Sequence, residues 1–291
     1  MHLIGKDILT THTVYWPTML KAMGLPMPRT IFAHGWWLSG DAKMSKSLGN
    51  VVNPMDMIDR VGVDPFRYFL IAEMTLGQDA SFTEEAFIKR YNSDLANDLG
   101  NLLNRLLRMM GRSCDGATPA PPAAEMEGDE ERTLWAVVQR AVSEMEASID
   151  GMRLDRGLAE VMNAVRATNR YLEQRQPWTL AKDPARKTDV AAVLYRAADA
   201  LRVAAGLLYP VMPGKMLELR GALGLGGAPE VAGLREPNGL PGGARLPKPE
   251  ALFPRLESAG EAKADAPPPA AKKKKEKPMD APKHDGLVSY D

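Results

Sequence analysis

The sequence predicts a mainly α-helical protein with a small α/β part at its N-terminal end. Between residues 81 and 225 apolar positions recur by threes and fours along several long segments separated by short breaks, the pattern of a helical bundle. The first thirty-five residues read instead as strand, helix, strand. Beyond residue 225 the periodicity gives way to Gly, Pro and Lys, expected to be a linker and disordered tail over 226–291. At 291 residues and 45% hydrophobic, the chain can bury a sizeable core. Lys+Arg and Asp+Glu both number 37, so global charge points to no partner. The single Cys114 excludes a disulfide framework and a four-cysteine zinc knuckle within this sequence. No run of eighteen apolar residues occurs and the first residues lack a signal-peptide layout, so a cytoplasmic location is expected.

Each element has a local cause. Leu3-Ile4 ends at Gly5, an apolar-periodic helix runs from Ile8 to Met23, and Thr30-Ile31-Phe32-Ala33 follows the Pro26-Met27-Pro28 break. This is a βαβ unit, expected to form a parallel sheet covered on its faces. A hairpin is expected from Gly35 to Gly40-Asp41. Asn53-Pro54 reads as a helix N-cap with proline at the first position, and Asp64-Pro65 repeats the device before Phe66 to Met74. Ser81 and Glu84 suit a capping box ahead of one long helix, whose apolar stripe is Phe87, Tyr91, Leu95, Leu99, Leu102, Leu106 and Met109. Further helices are expected around Leu134 to Met145, from Leu154 to Gln174, from Asp189 to Tyr209, and shortly after Pro213. Lys272 to Lys277 reads as a solvated charge block rather than a binding site.

The chemistry concentrates at Lys43-Met44-Ser45-Lys46-Ser47, followed by Leu48-Gly49-Asn50. Two lysines three residues apart among small hydroxyl residues can place two point charges on a polyphosphate. An exposed basic turn is the bland alternative, but a chance match to a given pentapeptide is on the order of one in ten thousand. Ile8, His12 and Trp16 fall at steps of four and share one helix face, able to wall an apolar pocket or to pack as core against the sheet. Asp7 follows Gly5 by two residues, where a carboxylate is either a ligand contact or an N-cap. On the long helix Asn97, Asn101, Arg105 and Arg108 lie opposite the apolar stripe. Amide and guanidinium groups so placed can read unstacked RNA bases, and Trp178, after Pro177, can supply a stacking platform. Outward Asn and Arg are more often only solvated.

These residues together resemble methionyl-tRNA synthetase, a class I aminoacyl-tRNA synthetase. The resemblance covers about residues 1 to 225. It rests on Ile4-Gly5-Lys6-Asp7, His12, Trp16-Pro17, Ala33-His34-Gly35-Trp36, Lys43 to Ser47, Val63-Asp64-Pro65-Phe66-Arg67-Tyr68, Asn101 with Arg105, and Pro177-Trp178. The lysine signature alone fits the isoleucine, valine, leucine or cysteine relatives equally well. The resemblance implies the second half of a Rossmann-like catalytic domain over 1–80 and an anticodon-binding bundle over 81–225. It implies a methionine–tRNA ligase using ATP with Mg²⁺, methionine, and initiator and elongator tRNA-Met, with no zinc site in this chain. Lys46 and Lys43 would be catalytic. Gly5, Asp7, His34, Trp37 and the run Lys43, Met44, Ser45, Lys46 and Ser47 would hold the adenylate; Ile8, His12 and Trp16 the methionine; Asn101, Arg105 and Trp178 the anticodon.

The only histidines are His2, His12, His34 and His284, so the His-x-Gly-His signature that the family sets opposite the lysine loop does not occur in this sequence. Met1 therefore reads as an internal start or a truncation. The chain alone is expected to fold well in its bundle and poorly before residue 75, and to form no adenylate. A non-catalytic tRNA-binding module is the alternative. Leu287-Val288-Ser289-Tyr290-Asp291 resembles the opening of the OB-fold module that some members carry after a lysine-rich linker, which would bring homodimerisation only if present.

Overall fold

The computed structural model describes residues 1–40, 42–44 and 51–257, and everything below concerns those residues. The short apolar runs at the start form β1 (His2–Gly5) and β2 (Ile31–His34), paired in parallel with Gly5 opposite His34. The connection is helical from Lys6 to Ala22, tight over Lys6–Ile8, widened to π geometry over Thr11–Tyr15, and regular over α1 (Trp16–Ala22), and then runs irregularly to β2. The expected βαβ unit is present, but its faces are not covered. Among residues 1–30 only Ile4 and Leu20 are buried. The expected hairpin is β3 (Trp37–Ser39) against β4 (Ala42–Lys43), and β3 also takes β5 (Ala80–Phe82) in parallel, giving a second sheet separate from the first.

Asn53 caps α2 (Pro54–Val61) by accepting the Met55 N–H, as its sequence suggests. Asp64 departs from expectation. The next helix, α3 (Val63–Glu73), starts two residues earlier after Gly62, whose φ of 85° makes the turn. The Asp64 carboxylate accepts instead from the Lys215 N–H at 2.6 Å, in the first turn of a distant helix, α10, which spans Pro213–Ala222. Cap chemistry is right, but the helix capped is another one. Arg67, one turn on, donates to the Val211 and Pro210 carbonyls at 2.8 and 3.0 Å, so α3 grips the corner leading into α10 from two sides.

The Ser81–Glu84 capping box is likewise corrected. Ser81 lies in β5 and donates to the Gly40 carbonyl, while Thr83 caps α4 (Glu84–Arg90) by accepting the Ala86 N–H. From there the helix is continuous through a π segment, Tyr91–Gly100, into α5 (Asn101–Ser113). The stripe explains the π turns. Steps of four drift around a helix of 3.6 residues per turn, and the wider turns cancel the drift, so Leu95, Leu99, Leu102 and Leu106 all stay fully buried. The side-chain amide of Asn169 donates to the Asp98 carbonyl within this segment.

Helices α6 (Asp129–Asp150), α7 (Leu154–Arg175) and α8 (Pro177–Leu180), with α5 and α10, pack around α9 (Lys187–Leu208), the most buried helix of the bundle. One core runs from the Phe66, Phe69, Phe82 and Phe87 rings to Leu194, Leu201 and Leu208 on α9. Because Met57, Phe66, Tyr68 and Phe69 belong to it, the segment 54–73 packs with the bundle.

The stretch 226–256 is not the linker its composition suggests. Leu234, Leu240, Leu252 and Phe253 are buried, and helix α9 binds the backbone between them. Arg202 donates to the Gly233 and Glu236 carbonyls, and Asp199 accepts from the Asn238 and Gly239 N–H groups while pairing with Arg202 at 2.6 Å. Farther on, Asn92 exchanges two hydrogen bonds with the Leu256 backbone. Non-periodic sequence can pack when buried side chains of a neighbour satisfy its polar backbone. The charge block at Lys272 to Lys277 and the residues 287–291 lie outside the described residues.

Four tyrosines sit in this core, Tyr68, Tyr91, Tyr171 and Tyr195, and burial raises the pKa of each. Burial, then the Asp94 charge, pushes Tyr68 well above 10.0; burial and the hydrogen bond to Glu131 raise Tyr171; burial, then the Asp199 charge, pushes Tyr195 up to about 12. An unfolded chain releases these protons near pH 10 while the folded one keeps them, so stability is intact below about pH 10 and is lost as pH rises through the folded values. A lower denaturant midpoint at about pH 11 than at about pH 9 is expected; equal midpoints would contradict it.

Candidate functional site

Two groups of side chains stand out, one around Gly5, Asp7 and His34 and one around Arg105 and Trp178. At the first, Gly5 closes β1 where only a bare backbone fits: a Cβ there would lie 2.7 Å from Asp7 Oδ1 and 3.8 Å from His34 Cε1. Gly5, Asp7 and His34 therefore converge. His34 Nδ1 donates to the Gly35 carbonyl at 2.8 Å, which leaves Nε2 as the acceptor of the neutral ring. Asp7 is held below the usual carboxylate range, first by its own backbone N–H and then by the Trp36 indole N–H at 3.4 Å.

Gly35 presses against the loop before β5, where a Cβ would fall 2.0 Å from the Gln78 carbonyl oxygen. This contact brings Asp79 beside Trp36, whose backbone N–H donates to Asp79 Oδ1 at 2.8 Å. Lys6 donates to both Asp79 oxygens at 2.6 and 2.7 Å. That pair and the Trp36 N–H hold the Asp79 carboxyl below its usual range. The ammonium groups of Lys6 and Lys43 lie 4.2 and 4.1 Å from the Trp36 ring centroid. Lys43 thus lies against Trp36, where its charge acts on Asp7. Trp37 behaves differently, since alternation along β3 turns its ring inward onto Phe69 at 6.1 Å. Met44 is half-buried against the core. Ser45, Lys46 and Ser47 lie outside the described residues.

Ile8, His12 and Trp16 do not pack as core. Ile8 and Trp16 remain 43% and 37% exposed, and His12 Nδ1 donates to the Ile8 carbonyl at 3.0 Å, so its Nε2 is the ring's acceptor.

At the second group, α7 ends at Gln176, which sits at φ 43°, ψ 57°, a left-handed conformation uncommon outside glycine. Gln176 donates its N–H to the Leu172 carbonyl, and its own carbonyl accepts from Thr179, so one residue closes α7 and opens α8. Pro177 fits the first position of α8, and Trp178 projects beside α5, where the Arg105 guanidinium lies 5.5 Å from its ring centroid. Glu173 fixes that guanidinium by accepting from it at 2.6 Å. Asn101 is exposed one turn before Arg105 on α5.

Comparison with known proteins decides the family. A family model described as tRNA synthetases class I (M) matches residues 1–107, and one described as anticodon binding domain of methionyl tRNA ligase matches residues 121–266, half of the chain. The chain belongs to the methionyl-tRNA synthetase family. Among relatives, Methionine--tRNA ligase of Bacillus subtilis is 41% identical over 90% of this chain and 39% of its own length. That of Listeria monocytogenes serotype 4b is 39% identical over 100% of this chain and 45% of its own. The chain thus spans less than half the length of these curated relatives. A structure of the Mycobacterium tuberculosis methionyl-tRNA synthetase in complex with methionyl-adenylate superposes with a TM-score of 0.81 at 37% identity, covering 87% of this chain and 50% of that one.

Within the methionyl-tRNA synthetase family frame, the anticodon-domain match extends through the packed stretch 226–256. Lys6, Trp36, Asp79 and Glu173 are polar or aromatic neighbours that sequence reasoning did not single out as site residues. Lys6 and Trp36 lie inside runs that carry the family resemblance, whereas no local pattern marks Asp79, which sits 73 residues from Lys6. Among the described residues no helix is long and apolar enough to cross a membrane.

Proposed function

We propose that the chain supplies the adenylate-handling second half of a Rossmann-like catalytic domain (about 1–80) and the anticodon-binding domain of a cytoplasmic methionine–tRNA ligase. The Arg105 guanidinium held over Trp178 at an exposed bundle end carries the reading. It is an aromatic and guanidinium platform of the kind on which unstacked RNA bases lie, with the Asn101 amide one turn away.

In the reaction proposed, a methionine carboxylate oxygen attacks the α-phosphorus of ATP, the bond to the bridging oxygen breaks, and pyrophosphate leaves with the displaced charge. A terminal ribose hydroxyl of tRNA-Met then attacks the acyl carbon, and AMP departs. Such displacements are catalysed mainly by positioning and by charge placed where it develops. Lys46, and secondarily Lys43, serve the leaving phosphates together with the Mg²⁺ that accompanies ATP; Met44, Ser45 and Ser47 belong to the same signature. Gly5, Asp7 and His34 face the adenosine side, with the Trp37 backbone beside them. Ile8, His12 and Trp16 form the methionine wall, where a thioether gains from an aromatic edge.

Trp178→Ala is expected to weaken binding of a methionine-tRNA anticodon stem-loop by about 1 to 3 kcal/mol. A comparable loss with initiator and elongator loops is expected in a titration, and unchanged affinity would count against the assignment. The 291-residue chain alone, whose sequence holds no His-x-Gly-His run, is expected to give no methionine-dependent ATP–pyrophosphate exchange; robust exchange would contradict that.

A further inference from the structure

The residues that converge on the first site belong to two sheets. Gly5 and His34 lie opposite each other at the ends of β1 and β2, whereas Lys43 lies opposite Leu38 in the other sheet, and among the described residues no strand of one sheet pairs with a strand of the other. Asp79 immediately precedes β5 of the second sheet and takes hold of the first. It accepts from Lys6, the residue after Gly5, at 2.6 and 2.7 Å, and from the Trp36 N–H, directly ahead of β3, at 2.8 Å. Its loop is in turn held from the bundle. The Thr75 carbonyl accepts the Gln78 N–H, the Thr75 hydroxyl donates to Asp155 on α7, and Gly35 is wedged against the Gln78 carbonyl. An ion pair about one-third exposed at each end adds little to stability. What it fixes is geometry, because its two partners follow β1 and β2.

We propose that Asp79 is a positioning residue that sets the group of Gly5, Asp7 and His34 on the first sheet at a fixed distance from the Lys43 strand of the second, so that one ATP molecule engages both. A ligand that spans two subsites gains from their linkage only when their spacing matches its own length. A loosened spacing forfeits that gain without altering either subsite. Lys6 is the other end of the tether. This inference rests on the reading of the site as the ATP site.

Calorimetric titration of the 291-residue chain with AMP, inorganic pyrophosphate and ATP, each in the presence of Mg²⁺, tests the proposal. In the unaltered chain ATP is expected to bind more tightly than either part. Asp79→Ala should weaken ATP about five- to tenfold, a fraction of the gain that linking two subsites can give, while AMP and pyrophosphate change by less than about twofold. A residue that merely held the fold together would weaken all three alike. Lys6→Met should reproduce the pattern, and combining it with Asp79→Ala should add nothing, since both remove one contact. Asp79→Asn, which keeps an acceptor for the Trp36 N–H but loses the ion pair, should fall between. Equal weakening of the three ligands, an unchanged ATP affinity, a loss confined to pyrophosphate, or no advantage of ATP over its parts in the unaltered chain would each overturn the proposal and leave the ATP reading standing. If the unaltered chain binds neither AMP nor pyrophosphate, the ATP reading itself falls, and the positioning role falls with it.

Discussion

Asp199→Ala is expected to destabilise the helical bundle by about 3 to 5 kcal/mol, the cost of leaving a buried charge uncompensated. The side chains of Asp199 and Arg202 are only 4% and 6% exposed, so the guanidinium left behind has no water to turn to. The loss extends beyond the ion pair. Asp199 also accepts from the Asn238 and Gly239 N–H groups, and a Cβ at Gly239 would fall 2.4 Å from Arg202 Cζ, so the loop is seated directly on the pair. Without the carboxylate, two backbone donors are orphaned in the same place. Thermal denaturation should report a fall of roughly 10 °C for a unit of this size. A double change, Asp199→Leu with Arg202→Met, should cost less than Asp199→Ala, because it removes both charges at once. A single variant as stable as the parent would refute the account.

Gly35→Ala is expected to have a large effect of a different kind. The added methyl would sit 2.0 Å from the Gln78 oxygen, 2.3 Å from its carbonyl carbon and 2.6 Å from the Asp79 nitrogen, all backbone atoms. Backbone cannot swing aside as a side-chain tip can, so the two segments must part, at a cost of about 1 to 3 kcal/mol or more. The separation would break the Ala80 N–H to Trp36 carbonyl bond at 2.9 Å and the parallel register of β3 with β5. Hydrogen exchange is the suitable measurement. Protection at Ala80 and Leu38 should fall by one to two orders of magnitude, while amides of α9 keep theirs. Unchanged exchange at Ala80 would show that the corner accommodates the methyl.

What could be read from sequence was what is local. The fours and threes of Phe87 through Leu106, the Asn53-Pro54 start and the Gly5 strand end each depend on a few neighbouring residues, and each element formed where the pattern placed it. Gly5, Asp7 and His34 converge, and Arg105 meets Trp178, through contacts that no single segment of sequence shows. Long-range polar choices were not legible. Asp64 has the chemistry of a cap but serves a helix 151 residues away, and Asp79 acquires its partners only after Gly35 meets Gln78. The stretch after residue 225 misled for a related reason: its anchors are single leucines and its backbone is satisfied by Asp199 and Arg202, so neither periodicity nor composition betrays the packing. The π turns were hidden too, because a stripe of fours suits a helix of either pitch until its burial is known.

Those π turns also set an angle. Side chains advance by about 100° per residue around a regular helix, so the ten residues Tyr91–Gly100 determine the rotational phase between Phe87, buried among the aromatic rings near the first site, and Arg105, facing Trp178 at the second. The helix therefore acts as a keyed shaft. Gly100, packed against Phe253, and Asn92, bonded to Leu256, are its keyways. Any change in pitch between them would turn the Asn101 and Arg105 face about the axis while leaving both ends of the helix in place.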